Sequence, residues 1–294
     1  MGNTGSPSLS IVSVHETAEL GDNRSNYPVA YDTLKKNSYV DNVCRVAPDV
    51  DTIKKDIEEI EKVSAMGGFH YKEWVISGQD VTEQLISVQL PNQIGADEER
   101  CLGVSWDVKN DDLFIKSNLD KPGKKTRKSN IEVIISDIEL KKIQVKPHLT
   151  IRVCLFLHSK PYDPMGFILP TKMIGSVLFR DTIQFMKREQ KGKVPWDDAI
   201  EDEVIVRKWL DYFEMLLYLD NIKFKRCVKP ENALAGVDPD LVTFDDGNPS
   251  AFGTVGYALF ELDDSSDDKY SASLVMSKAK LGPLAHIGET YRNE

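Results

Sequence analysis

The apolar positions of this 294-residue chain change period several times, and each change marks an element. Residues 1–26 show no sustained pattern. They are polar and rich in Gly, Ser and Asn, which predicts a poorly ordered lead-in. Short apolar arms around an Asp-Asn pair in Tyr39-Val40-Asp41-Asn42-Val43-Cys44 predict a hairpin. A helix follows: Ile53, Ile57, Ile60 and Val63 recur at helical spacing, Asp49 or Asp51 can cap it, and Gly67-Gly68 ends it. Residues 69–75 read as a strand. Cys101-Leu102-Gly103-Val104-Ser105-Trp106-Asp107 and Leu113-Phe114-Ile115 form the arms of a second hairpin around Lys109-Asn110-Asp111. Residues 131–145 fit strand or helix equally.

Around residue 150 the pattern becomes helical and fully apolar. It breaks at Pro161-Tyr162-Asp163-Pro164-Met165-Gly166, and Pro170 opens a second helix with Met173, Ile174, Val177 and Leu178 on its apolar face. Gly192 and Pro195 end it. A third helix spans 200–219, with Val204, Trp209, Phe213, Leu216 and Leu217 inward. From Asp240 the period drops to two, which predicts strands over 241–244, 252–262 and 270–276. Asp245-Asp246-Gly247 reads as an acidic turn between the first two. A helix start near Thr290 completes an α+β unit that stops early.

Composition narrows the functional classes. A hydrophobic share of 41% and a charged share of 29% fit a soluble globular protein. No apolar run is long enough to span a bilayer, no secretory signal opens the chain, and Gly2 matches the loose myristoylation pattern as chance often produces it. Cys44, Cys101, Cys154 and Cys227 form no CxxC pair, which points to reduced thiols in the cytoplasm or nucleus. The net charge of −10 argues against nucleic-acid binding by the chain as a whole. The charge is uneven: residues 109–160 are rich in lysine, and the chain from 231 onward is acidic.

The landmarks, in this order, resemble the Pol polyprotein of Bel/Pao-type LTR retrotransposons. Tyr39-Val40-Asp41-Asn42 resembles the family's YVDD box, and Gly67-Gly68-Phe69 with Lys72 and Trp74 resembles the segment after it. Leu102-Gly103-Val104-Ser105-Trp106 is similar to a strand of the thumb and connection region. Tyr162-Asp163-Pro164-Met165-Gly166 with Pro170 resembles the FDPLG signature, and Trp196-Asp197 and Trp209 resemble the tryptophans that follow. Phe244-Asp245-Asp246 and Ala251-Phe252-Gly253 resemble the opening of a ribonuclease H domain. Ser277-Lys278-Ala279-Lys280 with Pro283-Leu284 resembles the SKxRVAPL stretch. The similarity runs from about residue 27 to the end.

The resemblance implies an α+β fold: the C-terminal part of a reverse-transcriptase palm, thumb and connection helices, then a truncated ribonuclease H-like sheet. The implied divisions are a disordered lead-in over 1–26, the palm end and following helix over 27–98, a thumb/connection-like region over 99–235, and the start of a ribonuclease H-like domain over 236–294. It also implies two-metal catalysis with Mg2+, which needs clustered hard oxygen ligands. Asp41 corresponds to a palm carboxylate, while Asn42 stands where the family has a second Asp, which removes one charge. Another palm Asp and the fingers lie upstream of where this chain begins. Asp246 corresponds to the first ribonuclease H carboxylate, with Asp245 as the adjacent alternative. Glu294 fits the next, with Glu289 as runner-up. Spacing alone reads Asp41-Asn42 as an ordinary turn dipeptide and leaves Asp245-Asp246-Gly247 open between an acidic turn and a ligand pair.

Lys124, Lys125, Arg127 and Lys128 could contact phosphates, although a solvated loop explains them as well. Trp74, Trp106, Trp196 and Trp209 read as core, and the histidines show no metal spacing. No Asp-Thr-Gly or Asp-Ser-Gly peptidase turn occurs, nor an integrase signature. The expected function is a polymerase/ribonuclease H fragment, inactive alone, with an RNA/DNA template-primer and the missing Pol segments as partners and no membrane. The alternative is a host-adopted, non-enzymatic module that binds nucleic acid or protein. A hydrolase built on Asp245, Asp246 and Glu294 would leave the motif order unexplained. A unit that stops in mid-domain should expose an edge strand and apolar surface near 241–276.

Overall fold

Helix and strand are both abundant in the computed structural model, which describes residues 6–40, 42–71, 74–77, 98–101, 103–119, 132–137, 142–146, 148–189 and 192–283. The chain divides into two units, residues 1–102 with 107–111, and residues 103–106 with 112–294.

The first unit holds helices α1 (Ser6–Ala18), α2 (Asn23–Asn26) and α3 (Pro28–Lys36), strands β1 (Ser38–Tyr39) and β2 (Asn42–Val43), helix α4 (Val50–Met66) and strand β3 (Glu98–Cys101). Val14, Ala18, Ala30, Leu34, Ile60 and Val63 form its core, with Trp74 and Tyr71 packed at the margin. Asp49 caps α4 by accepting the Thr52 N–H at 2.8 Å, and Gly67 follows its last turn. The lead-in is not unstructured. From Ser6 it is helical, and it buries Val14 and Ala18. The hairpin slips by one residue from the expected register: Tyr39 pairs with Asn42, and Val40 takes a left-handed φ of 54°. Residues 69–71 and 74–77 run without strand pairing, against the expected strand.

The second unit contains β4 (Val104–Asp107), β5 (Asp112–Phe114), the hairpin β6 (Glu132–Asp137) and β7 (Lys142–Lys146), helices α5 (Ile151–Ser159), α6 (Leu169–Glu189) and α7 (Glu203–Leu217), then β8 (Lys223–Lys225), β9 (Asp240–Asn248), β10 (Ala251–Glu261) and β11 (Tyr270–Leu281). The ambiguous stretch 131–145 is thus a hairpin. Thr150 and Asp202 cap α5 and α7 through the Val153 and Ile205 N–H groups. Trp209, Tyr212, Phe213 and Leu216, at helical spacing, bury one face of α7 against Ile151, Cys154 and Leu157 of α5 and Met186 of α6.

The strands β9, β10 and β11 form an antiparallel meander in the order β11-β10-β9. Asp245-Asp246-Gly247 is not a turn, as expected, but the end of β9, pairing with Thr254, Gly253 and Phe252. The turn lies at Pro249-Ser250, because the Asn248 side chain accepts the N–H groups of Ser250 and Ala251 at 2.8 and 3.1 Å. The Met165 carbonyl accepts the Ser277 N–H at 2.8 Å, so the loop before α6 occupies the outer edge of β11.

Candidate functional site

The carboxylates proposed for metal chemistry are not drawn together among the described residues. Asp245 and Asp246 are consecutive in β9, so the pleat sends their side chains to opposite faces of the sheet, and both are exposed. The Asp246 carboxylate accepts the N–H of Gly247 at 2.8 Å. Asn42 is exposed on β2. Asp41, Glu289 and Glu294 lie outside the described residues, as do Lys124, Lys125, Arg127 and Lys128. Among the described residues no three His, Cys, Asp or Glu side chains gather where a metal ion could sit. The donor set that Mg2+ requires is therefore not met by the described residues.

The Tyr162-Asp163-Pro164-Met165-Gly166 motif has a structural job. Asp163 uses both carboxylate oxygens, each at 2.9 Å, to hold the N–H groups of Phe167 and Ile168. That closes the loop into α6 and places Met165 and Gly166 against β11. Gly166 has a φ of 79°, and a Cβ there would drive into the Ser277 backbone, so only glycine fits. The Ser277 hydroxyl donates to the Gly166 carbonyl, a second tie between the motif and the sheet.

A part-buried polar chain joins the three helices, and no sequence motif announced it. His158 Nδ1 lies 2.7 Å from the Tyr212 hydroxyl, and its Nε2 lies 3.2 Å from Ser176 Oγ. Ser176 donates to the Lys172 carbonyl at 3.0 Å, so its oxygen receives the Nε2–H and Nδ1 receives the Tyr212 proton. This assignment requires a neutral imidazole. Burial, and secondarily the Lys172 ammonium, push the His158 pKa down to about 4. Burial lifts the Tyr212 phenol well above its ordinary range. Lys172 donates to the His158 and Pro161 carbonyls at 2.8 and 3.2 Å. The serine and histidine resemble a nucleophile–base pair, but both imidazole nitrogens and the Ser176 hydroxyl are engaged in hydrogen bonds that tie α5 to α6 and α7.

Of the tryptophans, Trp209 is fully buried and donates to Thr182 at 3.0 Å. Trp74 and Trp106 are half-buried, whereas Trp196 is 37% exposed with the Arg152 guanidinium 5.9 Å from its ring, which corrects its assignment to the core. Leu241, Phe244, Phe252 and Met276 are exposed on the terminal sheet. Val242, Phe244, Val255, Tyr257, Leu259 and Ala272 line an open apolar depression of about 580 Å3 on one of its faces. No described helix is long and apolar enough to cross a membrane.

Residues 150–289 match the family model described as the Pao retrotransposon-like RNaseH-like domain. The matched segment starts at the N-cap of α5 and takes in α5, α6 and α7 as well as the three-stranded sheet, so the helices expected as connection lie inside it. No curated protein and no solved structure matches the chain. The match supports a Pao-type retrotransposon fragment with an RNaseH-like domain, and such a domain suggests nucleic-acid binding in general.

Proposed function

We propose that this chain is a piece of a retroelement RNA-directed DNA polymerase/ribonuclease H that contacts an RNA/DNA template-primer and catalyses nothing by itself. The family match over 150–289 is the observation that carries the reading. The order of the upstream motifs, from Tyr39-Val40-Asp41-Asn42 to Leu102-Gly103-Val104-Ser105-Trp106, supports a palm and thumb origin for the part before it. Inactivity follows from chemistry. An amide at Asn42 replaces a charge that two-metal catalysis needs, and Asp245 and Asp246 face opposite ways on an open strand. Mg2+ would be the resident ion of the intact enzyme.

The test is primer extension and RNA–DNA hybrid cleavage by the purified chain with Mg2+ or Mn2+, beside Asp41→Ala and Asp246→Ala variants. The expected result is no turnover above either variant. Turnover that Asp41→Ala or Asp246→Ala abolishes would show a working metal site and overturn the reading of an inert fragment.

A further inference from the structure

We infer that the open edge of β9 accepts an added strand from a polypeptide partner, an extended segment whose two apolar side chains are flanked on the same face by Lys or Arg. The two edges of the terminal sheet differ. On β11 the Met165 carbonyl accepts the Ser277 N–H at 2.8 Å, so a loop of the chain itself takes up that edge. β9 stands at the other end of the order β11-β10-β9, and among the described residues no strand pairs with its outer side. Along that side every second residue turns its N–H and carbonyl outward, which is the template on which a strand adds.

The register says which side chains that strand would meet. Val242 pairs with Tyr257 and Phe244 with Val255, and all four line the apolar depression. Side chains two residues apart share a face, so Asp240 and Asp246 lie on this face too, one at each end of the apolar pair. The Phe244 ring meets Tyr257 edge-on at 6.2 Å yet stays 61% exposed, and both aspartates are exposed. Neither aspartate is ion-paired among the described residues. This face of β9 therefore reads acidic, apolar, apolar, acidic over about 20 Å.

Charge decides between partners. A second copy of this chain, added antiparallel about Thr243, would set Asp240 of one copy against Asp246 of the other, and like charges directly opposite destabilise a strand pair. A segment with a cation at each end and two apolar side chains between them meets both needs. Each cation lies opposite a carboxylate, and the apolar side chains extend the depression beyond Val242 and Phe244. The pattern is the same read from either end, so it suits a parallel or an antiparallel strand. It recognises polypeptide rather than phosphate, and it stands or falls separately from the nucleic-acid reading.

The experiment is fluorescence anisotropy of the full chain with two labelled, end-blocked peptides, Lys-Thr-Val-Thr-Ile-Thr-Lys and Glu-Thr-Val-Thr-Ile-Thr-Glu. The basic peptide should bind roughly tenfold more tightly than the acidic one, and the preference should shrink as salt is raised. An Asp240→Lys/Asp246→Lys variant changes exposed side chains alone and should reverse the preference, a result that loss of the fold cannot produce. N-methylation of alternate amides along one edge of the basic peptide should abolish binding, while N-methylation along the other edge should leave it, because only one edge bonds to β9. Equal affinity for the two peptides, an unchanged preference in the variant, or indifference to N-methylation along both edges would each overturn the proposal. So would a self-associated chain that excludes the basic peptide, since a second copy would then hold the edge.

Discussion

Acidification should loosen the α5–α6–α7 bundle through one imidazole. His158 is neutral in the fold, accepting from Tyr212 and donating to Ser176, with its pKa pushed down to about 4. An unfolded chain returns it to near 6.5. The unfolded state therefore binds the proton more tightly, and stability falls as pH drops. The contribution is complete above about pH 6.5 and is withdrawn progressively down to about pH 4. Full linkage at pH 5 removes roughly 2 kcal/mol. The ring is only half-buried, and water screening brings the expected loss nearer ~1 kcal/mol. The groups facing the ring are Tyr212 of α7 and Ser176 and Lys172 of α6; the Lys172 ammonium opposes protonation of the ring and so adds to the slope that burial sets. Urea unfolding at pH 7.5 and pH 5, followed by the fluorescence of buried Trp209, measures the loss. The control is His158→Gln, which keeps polar atoms in place and cannot titrate, so carboxylate effects common to both proteins cancel in the comparison. The wild type should lose about 1 kcal/mol more than the variant between the two pH values. Equal losses in both would refute the neutral, half-buried imidazole.

Two packing tests address the same unit. Gly175 lies where α6 meets the Tyr212 ring and His158, and a Cβ would enter both, so Gly175→Ala should cost about 1–3 kcal/mol by overpacking; a melting temperature equal to wild type would show that the helices can part without penalty. Asp163→Ala should cost about 2 kcal/mol or more, since the Phe167 and Ile168 N–H groups lose their acceptors together, and proteolysis within residues 161–168 should accelerate; unchanged melting and cleavage would mean that the loop holds its shape without Asp163.

How much of this was legible in the sequence depended on whether the controlling interaction was local. The helix after Asp49 was readable because its cap, its apolar spacing and its terminating Gly67 all sit within one stretch of chain. The same holds for Pro170 at the start of α6 and for Trp209, Phe213 and Leu216 on α7. Helix α1 was missed because its serines and exposed Leu9 and Val12 give no face; it depends on Val14 and Ala18 meeting α3 and α4, which is tertiary. The hairpin at 38–43 slipped because good turn chemistry at Asp41-Asn42 yielded to the pairing of Tyr39 with Asn42.

The candidate sites divide along the same line. The link from His158 to Tyr212 spans 54 residues and that to Ser176 spans 18, so no local motif could reveal them. Asp245 and Asp246 make the converse case. As a motif they suggest clustered ligands; as consecutive residues near the end of an edge strand they cannot both turn to one side. Charges on an exposed edge also discourage a second chain from pairing there, and β9 needs that protection, since Leu241 and Phe244 lie exposed on the same strand. The acidic pair therefore has a physical reason to persist on β9 that is independent of metal binding, and its presence by itself is weak support for catalysis.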